Sequence, residues 1–169
     1  MLKKKLDIFI ALIIFVLSFV SCSESATEKQ DSVVLSRDFQ GETWARFDFL
    51  EGTYAVSNAP MTADLVLEID VTDDYPNVYP HPENDKAEFA ITLSVNAPDG
   101  SGRNFDFSTR LKDNNGKFKS ENVNGSYHFE ITLLDDMSFG ENGEYRFKIE
   151  NKYSKDPLYG IKKLKVSLK

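Results

Sequence analysis

Over much of this chain the apolar residues recur at every second position, and that period decides what the chain can fold into. Leu65, Leu67, Ile69 and Val71 alternate with Asp64, Glu68 and Asp70, and Phe89, Ile91, Leu93 and Val95 alternate with Glu88, Thr92 and Ser94. The pattern returns at Phe105 and Phe107, along Tyr127, Phe129, Ile131 and Leu133, through Tyr145, Phe147 and Ile149, and finally at Leu164, Val166 and Leu168. Successive side chains of an extended strand point to opposite faces, so each run predicts a strand with one dry face. Less regular strands are expected over 33–39 and 44–50.

The punctuation agrees. All six prolines fall between the alternating runs, and Asp99-Gly100, Asn115-Gly116 and Asn142-Gly143 are hairpin-type turn pairs. No stretch carries a clean helical period, so helices are expected to be minor. With 41% apolar residues, 13 Phe and 7 Tyr, the chain has material for a core. About eight strands with one dry face each predict a single all-β domain over 33–169, a two-sheet antiparallel β-sandwich of jelly-roll or immunoglobulin-like type rather than a ligand-enclosing barrel.

The amino terminus is of another kind. Lys3, Lys4 and Lys5 precede an apolar run from Ile8 to Val20, followed by Ser21-Cys22. Positive residues, a short apolar run and a small residue before the cut form a secretory signal over 1–21. The run is shorter than the roughly 20 residues that a spanning helix needs. Ser18-Phe19-Val20-Ser21-Cys22 resembles the lipobox of bacterial lipoproteins, with Phe19 where Leu is usual. That resemblance implies an acylated Cys22 as the lipidation site. Residues 22–32, rich in Ser, Glu, Thr, Lys and Gln, then read as a flexible tether. Removing residues 1–21 leaves 17 basic and 26 acidic groups, net −9. Such a charge argues against nucleic acid as a partner, since phosphate contacts need a basic face.

Catalytic chemistry has little to stand on. Nucleophilic catalysis wants a Ser or Cys beside a His base. Of the two histidines, His81 lies in a Pro-flanked loop and His128 has the outward parity of its strand, while the single Cys is assigned to lipid. The same scarcity argues against a catalytic zinc site and a cofactor. Asp70, Asp73, Asp74, Glu83 and Asp85 crowd one segment and form a candidate Ca²⁺ ligand set, to be weighed against a solvated acidic loop because the EF-hand spacing is absent.

Two further features are candidate partner-binding elements. Strand parity places Trp44 outward and Phe47 and Phe49 inward, which would leave the one Trp free to stack on a sugar or anchor a partner; a bulge at the strand start would instead return it to the core. From Lys148 to Lys169 seven lysines face two acids. Lys162, Lys163 and Lys165 are expected on an edge strand, either as guards against aggregation or as a docking face for an acidic partner or anionic lipid.

The stretch Gly143-Glu144-Tyr145-Arg146-Phe147-Lys148-Ile149-Glu150, then Asp156-Pro157-Leu158-Tyr159-Gly160-Ile161, is similar to the carboxy terminus of the gliding-motility lipoprotein H (GldH) family of Bacteroidetes. Asp74-Tyr75-Pro76 resembles that family's mid-domain loop. Lys152, Tyr153 and Ser154 stand where the family carries Met-Arg, which makes this chain a divergent relative. The resemblance implies a cell-envelope lipoprotein, held to the membrane (the outer membrane being expected) by its lipid anchor. It would work without catalysis among other envelope proteins of a motility or secretion assembly. The alternative is a surface carbohydrate-binding β-sandwich lipoprotein using Trp44 and the acidic loop.

Overall fold

The alternating runs become strands of an all-β domain in the computed structural model, which describes residues 32–76 and 89–169. Two main antiparallel sheets are built from the chain. The first contains β1 (Ser32–Asp38), β4 (Met61–Val71), β7 (Asn122–Val123), β8 (Ser126–Phe139) and β11 (Ile161–Leu168), in the order β1-β11-β4-β8-β7. The second contains β3 (Leu50–Val56), β5 (Phe89–Asn96), β6 (Gly102–Thr109) and β9 (Gly143–Asn151), in the order β3-β9-β5-β6. A two-stranded ribbon pairs β2 (Thr43–Trp44) with β10 (Leu158–Tyr159). The only helical turn among the described residues is a 3-10 turn at Gln40–Glu42.

The dry faces meet as the period of two requires. Leu65, Leu67, Ile69, Leu164 and Val166 from one sheet and Ile91, Leu93, Phe147 and Ile149 from the other are buried in a single apolar cluster. Each large aliphatic or aromatic side chain so placed contributes about 1.5–3 kcal/mol relative to exposure.

The two long sides of this arrangement differ. On one side β1 lies against β3, and Gly52 makes that approach possible: a Cβ there would stand 2.3 Å from the Val34 carbonyl oxygen and 2.7 Å from the Leu35 Cβ. On the other side β6 ends its sheet, and the facing side chains Phe105, Phe107, Phe129, Ile131, Leu134 and Met137 are only partly buried. Part of that open side is filled by the 110–121 segment, whose Phe118 stacks on Tyr127 with ring centroids 3.7 Å apart. Lys112, itself buried, donates from Nζ to the Tyr75 carbonyl at 2.6 Å and lies 4.3 Å from the Phe118 ring centre. Burial pushes its ammonium below the ordinary lysine range, and Asp73 partly offsets this.

Two sequence expectations need correction. β11 is not an edge strand, because it lies between β1 and β4. Its lysines are matched across the sheet: Lys163 stands in register with Asp38 and Asp70, and Lys165 with Glu68, to which it forms an ion pair at 2.7 Å. Cross-strand opposite charges stabilise a sheet locally, so these lysines serve the sheet's own outer face. The inward placement of Phe47 and Phe49 is the second, and Trp44 takes the core position that a break in the strand leaves open to it. The run 44–50 is no continuous strand; a turn in which Asp48 N–H donates to the Ala45 carbonyl at 3.1 Å breaks it and reverses the parity. Trp44 is fully buried while Phe47 is 78% exposed.

Gly52→Ala is expected to lower unfolding free energy by about 1–3 kcal/mol, because the nearest atom met is the Val34 carbonyl oxygen and β1 or β3 must shift to admit the methyl group. Gly140→Ala, which meets nothing within 4 Å, is the control and should stay within about 0.5 kcal/mol. Denaturant midpoints of the two variants measure the contrast.

Candidate functional site

The open side of the two sheets ends in a cleft of about 730 Å³. That volume is within the roughly 300–1,000 Å³ typical of small-molecule sites. Three local devices build it.

The first is the β5–β6 turn. Ala97 N–H donates to Ser101 O at 2.8 Å, Gly100 N–H to Ala97 O at 3.0 Å, and Gly100 takes a φ of +86° that a side chain would resist. Ser101 N–H donates to the Asp99 carboxylate at 2.7 Å. Hydrogen bonds from Ser101 hold the Asp99 carboxyl below the usual carboxylate range.

The second is the β8–β9 turn, clasped to the first by Asp99 N–H donating to Glu141 Oε1 at 3.1 Å. Tyr145 from β9 donates its hydroxyl to the Glu141 carbonyl at 3.3 Å, which fixes the turn over the cleft floor.

The third is a bulge in β8. Leu134 pairs with Leu65 and Met137 with Ala63, so three steps along β8 oppose two along β4. The extra length falls on Asp135 and Asp136; Asp136 has a φ of +48° and its N–H donates to the Asp64 carboxylate at 2.8 Å. Bulges of this kind re-aim side chains that strict alternation would place elsewhere.

The resulting lining is mixed. Val95, Phe105, Leu134, Met137 and Tyr145 give it apolar surface, while Asp99, Asp135, Asp136 and Glu141 set four acids against the one guanidinium of Arg103. No ion pair joins Arg103, Asp135 or Asp136 to another described residue. Their charged ends are therefore available for a ligand, and the net negative charge favours neutral or cationic molecules over anions.

The residues singled out by sequence are elsewhere. Trp44 is a core residue: its Nε1–H donates to the Asp48 carbonyl at 2.7 Å, its own carbonyl accepts from the buried Asn151 side chain at 3.1 Å, and Phe39 and Phe89 pack beside it. Among the candidate Ca²⁺ ligands, Asp70 bonds the His128 ring at 2.7 Å, Asp73 accepts from the Tyr127 hydroxyl at 3.0 Å, and Asp74 borders a small hollow with Glu42 and Gly160. Glu83 and Asp85 lie outside the described residues, as do His81 and the lipidation site Cys22. Among the described residues no group of three or more His, Cys, Asp or Glu is placed to hold a metal ion. Lys162 is exposed at the irregular start of β11, and Lys163 and Lys165 face the acids described above.

Asp135 and Asp136 escape the sequence reading because they interrupt the very pattern that marks the strands. The signal was present: after Phe129, Ile131 and Leu133 the sequence reads Leu134-Asp135-Asp136-Met137, in which two adjacent acids break a period of two.

No family model matches the chain, and no curated protein matches it. Among solved structures the chain is similar to the exo-β-1,3-galactanase of Phanerochaete chrysosporium, solved with galactose, at 11% identity and a TM-score of 0.34, covering 81% of this chain and 27% of that one. It is also similar to a family 35 carbohydrate binding module from Clostridium thermocellum at 11% identity and a TM-score of 0.32, covering 80% of this chain and 96% of that one.

The depressed Asp99 carboxyl has a consequence for stability. Its contribution is complete above the unfolded carboxylate pKa of about 3.9 and is lost as pH falls through the lower folded value. Asp99→Asn keeps an oxygen acceptor for Ser101 without the charge. Thermal melts between neutral pH and about pH 3 should therefore show a shallower acid decline for the variant than for the unaltered protein.

Proposed function

We propose that this protein is a non-enzymatic, glycan-binding lipoprotein of the cell envelope, with its β-domain presented by an acylated Cys22 and its ligand held in the cleft between β6 and β8. The carrying observation is the cleft's composition. Recognition of a sugar needs apolar surface for the ring face and ionic or polar groups that both donate to and accept from hydroxyls. Phe105 and Met137 offer the first; Arg103, Asp135 and Asp136 offer the second. The anchoring part of the reading rests on the lysines, apolar run and lipobox-like residues before Cys22. Among the described residues no helix is long and apolar enough to cross a membrane. The paired sheets and shared core support a jelly-roll or immunoglobulin-like sandwich as the finer description of the fold.

A second reading keeps the resemblance to the GldH family and makes the domain a docking component of a motility or secretion assembly. What supports it is Phe47, 78% exposed on a heavily braced turn. Arg46 donates to the Tyr153 and Ser154 carbonyls at 2.8 and 2.9 Å, and Arg37 pairs with Asp48 at 2.8 Å. A rigid exposed aromatic is the usual form of an interface anchor. Phe47→Ala should then reduce co-purification of envelope partners from crosslinked membranes; unchanged recovery removes this reading.

The glycan reading is tested with the full-length protein in mild detergent on a panel of neutral, amino and acidic oligosaccharides. Binding of a neutral or amino sugar is expected, and Arg103→Ala or Asp135→Ala should weaken it roughly tenfold or more, the size of a lost hydrogen bond to a charged group. A panel without saturable binding contradicts the reading. Cys22→Ser should release the protein from the membrane fraction.

A further inference from the structure

The geometry points to a second function of the open side: we propose that β6 is a homodimerisation edge, pairing antiparallel with the β6 of a second copy to join two four-stranded sheets into one of eight.

Among the described residues no strand pairs with the outer edge of β6. Ala97 N–H donates to Ser101 O across the β5–β6 hairpin, and antiparallel pairs alternate between bonded and non-bonded. With Val95 opposite Arg103 and Leu93 opposite Phe105, the odd-numbered residues of β6 direct their N–H and C=O groups toward β5. Gly102, Asn104, Asp106 and Ser108 therefore direct theirs outward from the sheet, and their side chains are exposed. Pairing with β5 is continuous from Phe89–Thr109 to Asn96–Gly102, without a bulge, and β6 contains neither Pro nor Lys. Proteins blunt long edges with bulges, prolines and charges; β6 has no bulge and no Pro, and its charges are Arg103 on the inner face and Asp106 on the outer. The other edges differ: β1 and β3 cover each other, β7 is two residues long, and the free length of β8 is broken by its bulge and carries Glu130, Asp135 and Asp136.

The occupant follows from the sequence of the edge itself, which complements its own copy. With the two-fold axis at Phe105, the residues pair Asn104 with the second copy's Asp106, Gly102 with Ser108, Arg103 with Phe107, and Phe105 with Phe105. Asn104–Asp106 is then a backbone-bonded pair whose side chains join an amide donor to a carboxylate. Phe105 meets Phe105 at a non-bonded position, where side chains approach more closely. Arg103 lies over the second copy's Phe107 as a cation over a ring. Sliding the strands by one pair in one direction sets Asp106 against Asp106. Sliding the other way sets Asn104 against Asn104 and Asp106 against Gly102. The amide–carboxylate pair recurs twice about the two-fold axis, a repeat that a second copy supplies and an unrelated peptide does not, so a second copy is the fitting partner.

Asn104 is the position to test, since it does not line the cleft and its N–H is not used by β5. Sedimentation equilibrium of the full-length protein in non-denaturing detergent should show a monomer–dimer equilibrium. Asn104→Asp puts like charges opposite each other twice per dimer and should weaken association about tenfold. Asn104→Lys should strengthen it at low salt, and Asn104→Pro should abolish it, with unchanged circular dichroism in all three. A protein that stays monomeric at its highest soluble concentration overturns the proposal. A dimer indifferent to these substitutions, or weakened equally by Asp and Lys, overturns it as well. Arg103 and Phe105 line the cleft and also meet the second copy, so the monomeric Asn104→Pro variant should bind glycan at least as tightly as the unaltered protein, whereas a failed ligand site leaves glycan binding absent in every variant.

Discussion

The approach of β1 to β3 sets the shape from which the rest of the molecule follows. Gly52 lets the Val34 carbonyl come within 2.3 Å of where a Cβ would stand, so one long side of the two sheets is drawn shut. Twisted sheets joined along one side diverge along the other unless something fills the gap. Here the 110–121 segment fills one end with Phe118, and the other end stays open as the cleft. The half-buried aromatic side chains along β6 and β8 are the interior of a domain closed on one side only.

A second constraint holds one end of the sheets. Trp44 receives a hydrogen bond on its carbonyl from Asn151 of β9, gives one to Asp48, and packs between Phe39 and Phe89. It thus ties the β2–β10 ribbon to both sheets. The ribbon's own turn depends on Gly160, which has a φ of +71° and lies so close to Asp74 and Tyr75 that a Cβ would stand 2.2 Å from the Tyr75 nitrogen. A side chain is excluded there both by conformation and by space. With this end packed, ligand-sized space is left at the opposite end, where the β5–β6 and β8–β9 turns are clasped through Asp99 and Glu141.

How much of this was legible in the sequence depends on whether period two held. Where it did, as along Leu65 to Val71, Phe89 to Val95 and Tyr145 to Ile149, the strands and their buried faces follow directly from the residues. Where it broke, the reading failed in an instructive way. At 44–50 a tight turn reverses parity, so Trp44 exchanges places with Phe47. At Leu134 to Met137 a bulge redirects two acids, Asp135 and Asp136, into the cleft. The lysines of β11 illustrate a different limit. Their charge is plain in the sequence, but strand order is a property of long-range pairing, and only the placement of β11 between β1 and β4 shows that Lys163 and Lys165 face Asp38, Asp70 and Glu68.

In the proposed function the open side of the sheets, and not the buried Trp44 or the acids around Asp70, meets the ligand. Backbone amide NMR of the isotopically labelled protein, titrated with the neutral and amino oligosaccharides, tests this most directly. Saturable shifts confined to Val95–Phe105 and Leu134–Tyr145 are expected, with residues around Trp44 and Asp70 unmoved. Shifts centred on Asp70–Tyr75 or on the Phe47 turn, with the cleft silent, would contradict it.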